Sequence, residues 1–452
     1  MSESCVTLSV QLLIKPRLNN LTLSTPVIVS YYNKTNKMSL PQKIQKFFNT
    51  DLSYLAKNGG WLVVSQIISF VTTILLASAF AHFVSQESYG TYKYFLTLIS
   101  IFSVFTLTGM NTAISRSAGR GAESNVYTGI KKKIKWGFIG SVFCLMTSAY
   151  YLLQGNTEFS VTLLIVSLFI PFNDSFTAYQ AYLSGKKLFK VVANNIIQIR
   201  IISSLLLLLA IFYTDQTWML VATFIATSTL LNGIYMYINL KKYPPVDSDK
   251  DTDLSDGMHL SVMGGLGVVT GSLQGIALWH FLGPVGLAVY SFALAPIEQI
   301  RPFLKFIETL FMPKIAKDSW DMPNLKGFLK KLFPFILTIS LGVIIYILTI
   351  PHVFKILFPT YTESIIYTQI LSVSLILTAI TVVTHTILKA KKKIKAMYVL
   401  NVLNITMDLI LLIPATYFFG IYGLVFAIII QKVITVSISF YIFFRMSPPN
   451  TY

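Results

Sequence analysis

Apolar runs of about twenty residues follow one another along nearly the whole chain, and no other feature limits its fold so tightly. A helix of that length rises far enough to cross the hydrocarbon core of a bilayer, roughly 30 Å at 1.5 Å per residue. Twelve such runs can be read, at about 61–83, 92–113, 136–154, 159–183, 193–213, 217–240, 259–280, 285–310, 332–351, 364–388, 396–418 and 421–444. Lipid offers backbone groups no hydrogen-bond partner, so each run is expected to be helical. The expected fold class is an all-α polytopic membrane protein with twelve transmembrane helices.

Composition and charge agree with this reading. Hydrophobic residues make up 54% of the chain and charged residues 12%, against about 25% charged in an ordinary soluble domain. A net charge of +18 would suggest nucleic acid in a soluble protein. Here the basic residues sit in short connections between apolar runs, so no nucleic-acid partner is expected. Of the 36 Lys and Arg, 30 fall before the first run, after the last, or in even-numbered connections. Lys93 and Lys355 fall on the opposite side, and Arg200, Arg301, Lys305 and Lys432 lie inside runs. The positive-inside rule then places both termini in the cytoplasm. The outward connections are barely turns: "FLGP" at 281–284, "FGI" at 419–421 and "TDQT" at 214–217. None has room for a catalytic domain, and no phosphate-binding loop or nucleophile elbow occurs. The chain is therefore not expected to be an enzyme, and helices must carry its function.

Two signatures occur twice. "LSGKKLFK" at 183–190 recurs as "LKAKKKIK" at 388–395, 205 positions later, each closing one apolar run and opening the next. "AHFVSQESYGTYKYF" at 81–95 shares with "WHFLGPVGLAVYSFA" at 279–293 a His-Phe-aliphatic start and a tyrosine ten residues after the histidine. The repeats imply two six-helix lobes, 58–240 and 258–445, joined by a cytoplasmic linker at 241–257. Each lobe begins and ends on the same side, so they are parallel repeats about a pseudo-two-fold axis along the membrane normal.

The segment "SQESYGTYKYFLTLISIFSVFTLTGMNTAISR" at 85–116, with Glu87, Tyr89-Gly90, Tyr92, Gly109 and Arg116, resembles the link between the first two spans of bacterial polysaccharide (O-antigen) flippases. These belong to the multidrug/oligosaccharidyl-lipid/polysaccharide (MOP) exporter superfamily. "LSGKKLFK" and "FMPKIAK" (311–317) are similar to its inner-loop signatures. The resemblance spans about 40–446 and implies a multi-pass protein of the bacterial inner membrane. It implies translocation of undecaprenyl-diphosphate-linked oligosaccharide by alternating access of two lobes. It also implies membrane lipids, a polymerase and a chain-length regulator as partners of a monomer, no cofactor, and proton or sodium coupling. A multidrug antiporter of the same superfamily is the alternative.

Ionisable side chains within spans are costly and normally face a cavity or a partner. A diphosphate crossing the membrane needs cations in place of its water, and the planar fork of arginine suits it. Arg301, Arg200 and Lys432 are the candidate anion contacts, with Lys305 at the inner mouth. Glu298, Asp174 and Asp408 are candidates for ion coupling. In "PIEQIRPFLKFIETL", Glu298, Arg301, Lys305 and Glu308 share about an 80° arc of one helix, which Pro296 and Pro302 are expected to bend. Plainer roles compete: an i,i+3 pair for Glu298–Arg301, a structural bridge for Asp408–Lys432, and snorkelling for Lys305.

Residues 1–37 are expected to be a tail or a mis-called start before Met38, residues 38–57 a surface helix, and 446–452 a tail. The glycines of "GGLGVVTG" (264–271) suit helix packing. Asp249, Asp251 and Asp253 imitate a calcium loop, but Leu254 and Leu260 stand where its glycine and glutamate belong. Cys5 and Cys144 predict neither a disulfide nor a metal site.

Overall fold

In the computed structural model, residues 52–246, 254–317, 325–390 and 394–445 are described, with side chains there except those of 52–59, 62, 301–332, 335, 389–395 and 443–445. The predicted tails, residues 38–51 and the linker aspartates lie outside these. The described residues all fall within one compact unit.

The described residues are helical almost throughout. In order they form α1 (Leu52–Phe83), α2 (Gln86–Phe102), α3 (Met110–Gly119), α4 (Asn125–Leu153), α5 (Thr157–Asn173), α6 (Ala178–Gly185), α7 (Phe189–Tyr213), α8 (Thr217–Lys242), α9 (Ser255–Lys317), α10 (Leu325–Leu357), α11 (Ser364–Ala390), α12 (Ile394–Met407) and α13 (Ile413–Arg445). Local chemistry sets several starts. Ser85 caps α2, its hydroxyl accepting from the Ser88 N–H at 3.1 Å, with Glu87 in the first turn. Asn156 caps α5 in the same way through Phe159, ahead of Glu158. In both, a polar side chain satisfies an orphan amide and an acid meets the positive end of the helix dipole. Among the described residues, nine stretches are long and apolar enough to cross a membrane. A tenth appears when α2 and α3, bent by 49° at their junction, are taken together.

Two of these stretches, within α9 and α12–α13, fold back on themselves. Gly283 (φ 68°, ψ −170°) and Gly420 (φ 60°, ψ −141°) interrupt α9 and α13 with backbone angles that a side chain resists. Across the first turn, Tyr290 donates to Gln274 Oε1 at 2.8 Å, although sixteen residues separate them. A straight helix would hold them about 24 Å apart. Across the second, Thr435 donates to Asn404 Oδ1 at 2.7 Å over 31 residues. Both helices are therefore hairpins, with their tips together: Leu282 lies against Gly420, and the Phe281 and Tyr417 rings meet at 5.3 Å. The sharp turns expected at 281–284 and 419–421 are where the chain reverses.

Two further breaks lie in the first half, towards the opposite end of the bundle. The 3₁₀ turn Ser103–Thr106 and left-handed Leu107 (φ 55°) separate α2 from α3. Pro171 and the turn Ser175–Thr177 separate α5 from α6. The core runs the length of the bundle. Around the Gly283 end it includes Phe80, Tyr89, Phe95, Phe292, Phe354 and Tyr361 from both halves. At the other end Leu107, Met110, Ile114, Tyr179 and Tyr182 pack with Leu254, so the end of the linker is seated in the first half.

Candidate functional site

Helices from the two halves meet along two seams of different character. The first runs between α2 and the first arm of α9. Gly90 faces the Pro284 carbonyl and Gly109 the backbone of Leu260–Ser261, each without room for a Cβ, while Gly275 faces Thr97. Gly265 packs on Val104, whereas Gly267 and Gly271, expected to pack as well, have no neighbour against them and line a polar cavity instead. The second seam lies between α1 and the second arm of α9 with α10. It holds an apolar cleft of about 350 Å³ lined by residues that include Phe70, Ile74, Ala77, Ile300, Val353 and Phe358. At the Gly283 end both halves lock together. Thr360 donates to the Ala81 carbonyl at 2.8 Å, Gln86 to the Thr360 carbonyl at 2.6 Å, and Phe292 stacks on Tyr361 at 3.7 Å beside Tyr89.

Between these features lie two polar cavities. One, of about 350 Å³, is walled by α2 and both arms of α9, with Lys93, Thr97, Ser100, Ser272, Gln274 and Glu298 on its lining. Lys93 is half-buried, its Nζ 5.4 Å from the centre of the Tyr89 ring and within electrostatic reach of Glu298. The ring face supplies part of the solvation that the ammonium loses. The second cavity, of about 340 Å³, lies among α1, α6, α7 and α8, and its lining includes Gln180, Arg200, Ser203, Ser228 and Asn232. Arg200 donates to Thr73 Oγ1 at 2.9 Å and lies within reach of Tyr92. Thr73 also lines the apolar cleft, so one guanidinium touches the wall between a polar cavity and an apolar one. An arginine, a lysine and a set of neutral donors are suited to an anion that carries hydroxyl groups.

A family model described as polysaccharide biosynthesis protein matches residues 55–317. The chain belongs to the polysaccharide biosynthesis protein family. The match runs from α1 to the end of α9 and so takes in both walls of the first seam. No curated protein matches the chain. Its fold is that of MATE transporters. It superposes on the inward-facing conformation of a multidrug resistance MATE family transporter of the MOP superfamily with a TM-score of 0.58 at 17% identity, covering 84% of this chain and 94% of that one. The outward-facing conformation gives 0.58 at 15% identity, covering 89% and 97%. The eukaryotic MATE transporter AtDTX14 gives 0.58 at 14%, covering 88% and 96%. The first two scores are equal, so the likeness favours neither conformation.

Within this family member the anticipated residues part company. Glu298 is exposed to the first polar cavity and Arg200 to the second. The side chains of Arg301 and Lys305 lie outside the described residues. Asp174 is tied to Lys133, whose Nζ is 2.8 Å from Asp174 Oδ2 and 2.8 Å from Asn111 Oδ1, while Thr106 donates to the same carboxylate at 3.1 Å. This pair pins α4 to the two helix breaks of the first half. Asp408 is buried, with Lys432 close enough to act on it electrostatically. Cys144 donates to the Leu163 carbonyl.

Two residues take places that the charge pattern did not foresee. Lys93, read as lying in an outward connection, is two turns inside α2, because Ser85 caps that helix seven residues earlier than the apolar run begins. Lys133, read within the basic connection ahead of 136–154, is enclosed in α4, with its side chain 0% exposed. A signal for it existed: Val126, Gly129, Ile130, Lys133, Gly137, Gly140, Ser141, Cys144 and Ser148 are the buried positions of α4, and their steps of 1, 3 and 4 keep them on one helix face.

At the end of the bundle opposite Gly283, Glu123 binds the start of the linker. Burial works to raise its carboxyl. Hydrogen bonds from Lys186 Nζ (2.8 Å), the Val246 N–H (3.0 Å) and the Tyr182 hydroxyl (3.1 Å) outweigh that and hold it below the usual carboxylate range. Lys186 belongs to the first copy of the repeated basic signature, which here fastens the linker to the first half.

Proposed function

We propose that this protein translocates an undecaprenyl-diphosphate-linked oligosaccharide from the inner to the outer leaflet of a bacterial cytoplasmic membrane, for assembly of O-antigen, capsule or exopolysaccharide. Family membership over 55–317 is the observation that carries the reading. The reading takes the bundle as twelve spans in two six-helix lobes with both termini cytoplasmic. Counting α2–α3 as one span and each hairpin as two brings the nine apolar stretches to twelve. The Glu123 end is then cytoplasmic, in keeping with Arg116, Arg120, Lys186, Lys187, Lys241 and Lys242 around it.

The cargo has three chemistries, and the cavities offer a counterpart to each. A diphosphate needs cations, for which Arg200, Lys93 and Arg301 are the candidates, with Lys305 nearer the cytoplasm. Sugars need neutral donors and acceptors, which Gln180, Asn232, Ser203 and Ser228 supply. A polyprenyl tail needs an apolar path beside both, and the cleft between α1 and α9–α10 has that character. Alternating access would open the lock of Gln86, Ala81, Thr360 and the Tyr89–Phe292–Tyr361 rings to release cargo outward. Mass spectrometry of membrane lipids after depletion of the protein tests the proposal. A complete lipid-linked repeat unit accumulating on the inner leaflet is expected. An unchanged lipid profile with new sensitivity to cationic drugs would replace it with the multidrug antiporter, which the fold likeness favours.

A further inference from the structure

One more cavity lies apart from both seams, in the groove between the starts of α5 and α8. It has a volume of about 360 Å³ and is lined by Thr157, Glu158, Val161, Gln216 and Trp218. The turn that leads into α8 is held in place beneath it. Asp215 Oδ1 accepts from the Ser85 N–H at 3.4 Å, and the Gln216 N–H donates to Thr214 Oγ1 at 3.0 Å. Ser85 caps α2 and stands next to Gln86 of the lock, so the cavity lies at the Gly283 end, where the two halves close.

The lining groups are arranged in a way that selects a ligand. Trp218 is half-buried, and its indole N–H donates to Gln216 Oε1 at 2.9 Å. A tryptophan that only anchors a helix at the membrane surface gives this donor to water or head groups. Here it is spent inside the protein, which fixes the plane of the ring. An indole nitrogen can only donate, so the orientation of the amide is set as well: its oxygen is taken, and Nε2 with two protons remains for a ligand. Glu158 supplies acceptors, and the Thr157 hydroxyl both gives and takes.

Charge narrows the choice further. No Lys or Arg occurs in 137–185 or 201–240, the stretches that contain the lining, so neither wall supplies a cation for a phosphate. An ammonium group would suit Glu158 and the indole face, but it has no acceptor to offer the Gln216 amide. A neutral sugar ring answers every element, with hydroxyls that donate and accept and a flat C–H face to lie on the indole.

We propose that this cavity is a saccharide-binding site, in which Trp218 stacks on one pyranose ring while Glu158, Gln216 and Thr157 hold its hydroxyls. Its role rests on the flippase reading, under which this end faces outward and the ring belongs to the glycan of cargo that has crossed. The two ends of the cargo then have separate places: the diphosphate beside Arg200 and Lys93, the sugar on Trp218.

The test is saturation-transfer difference NMR of the full chain in phosphatidylglycerol nanodiscs, with glucose, galactose, rhamnose and N-acetylglucosamine as probes, one at a time. At least one should receive saturation at its ring C–H protons. Trp218→Leu should abolish that signal, and Trp218→Phe, which keeps an aromatic face, should retain part of it. Glu158 is exposed, so Glu158→Ala leaves the fold intact and should weaken the signal, which separates lost binding from a folding defect. Arg200→Ala should leave it as in wild type. Silence from all four sugars overturns the proposal. So does a signal unchanged in Trp218→Leu or Glu158→Ala, or one that disappears in Arg200→Ala. Loss of the signal when phosphatidylethanolamine replaces phosphatidylglycerol would give the cavity to an ammonium head group and overturn it too. Sugar binding at Trp218 in a protein whose depletion leaves membrane lipids unchanged would refute the flippase reading and keep the site. A lipid-linked repeat unit that accumulates on depletion, with no sugar signal, would refute the site and keep the reading.

Discussion

Breaking the Lys133–Asp174 pair should destabilise the first six helices by an amount that depends on which partner is removed. The lysine side chain is 0% exposed and the aspartate 25%, with 2.8 Å between Nζ and Oδ2. At that distance an effective dielectric near 20 gives a gross attraction of about 6 kcal/mol. Several kcal/mol of lost hydration for each ion oppose it, so the net value of the pair is small. Removing one partner is different, because the survivor stays buried alone, at about 3–5 kcal/mol. Lys133→Met leaves a carboxylate that keeps some exposure and the Thr106 hydroxyl at 3.1 Å, which puts it near the lower figure. Asp174→Leu leaves a fully enclosed ammonium with Asn111 Oδ1 at 2.8 Å as a single neutral acceptor, which puts it near the upper. The double variant Lys133→Met/Asp174→Leu replaces both ions by apolar groups and should lie within about 1 kcal/mol of wild type. Equilibrium unfolding of the purified protein by SDS in mixed micelles, followed by circular dichroism, measures all three. A double variant as unstable as the sum of the single ones would refute the reasoning, and so would Lys133→Met proving worse than Asp174→Leu.

Three other outcomes are expected. Glu123 has its carboxyl held down in the folded state, so its contribution to stability is present above the unfolded value, about 4.3, and is lost as pH falls through the lower folded one. Wild type and Glu123→Gln should therefore differ by a constant amount from neutrality to about pH 5 and converge on further acidification, as thermal melts across that range would record. Gly283→Ala forces a Cβ into backbone angles nearly exclusive to glycine, and should cost about 1–3 kcal/mol in the same SDS assay. Lys93→Ala and Arg301→Ala should abolish polysaccharide export with the protein still at its normal level in the membrane, by immunoblot, while Arg301→Lys should restore it in part. Normal export by either alanine variant would remove that residue from the anion path.

Much of the fold was legible because membrane helices announce themselves through length and apolarity, signals that survive without knowledge of their neighbours. The reversals at Gly283 and Gly420 were equally legible, since "FLGP" and "FGI" allow nothing but a turn. The breaks at Ser103–Leu107 and Asn173–Thr177 were not. Pro171 hints at the second, but nothing in "SIFSVFTLTG" distinguishes an interrupted helix from a continuous one, and left-handed Leu107 is held by its surroundings and not by its own preference.

The site was less legible than the fold, for a physical reason that Lys133 and Lys93 make plain. Charge counting along the chain assumes that a lysine near a helix end reaches water, and four of the five residues in "KKKIK" are lysines. Helical rotation, not sequence position, decides which one turns inward, and at α4 the inward stripe passes through Lys133. The same rule works in reverse for Asp174, which reads as an isolated acid in an apolar run and therefore as a site for an ion. Its counter-charge is 41 residues away and becomes visible only when α4 and α5 pack. Asp408 and Glu298 share neither arrangement. Glu298 opens onto a cavity with Lys93 on its lining, whereas Asp408 is enclosed. Three acids that carry the same expectation along the chain thus fall into three environments, an ion pair, a cavity wall and an enclosed carboxyl beside Lys432 and Gln431, and packing rather than sequence position separates them.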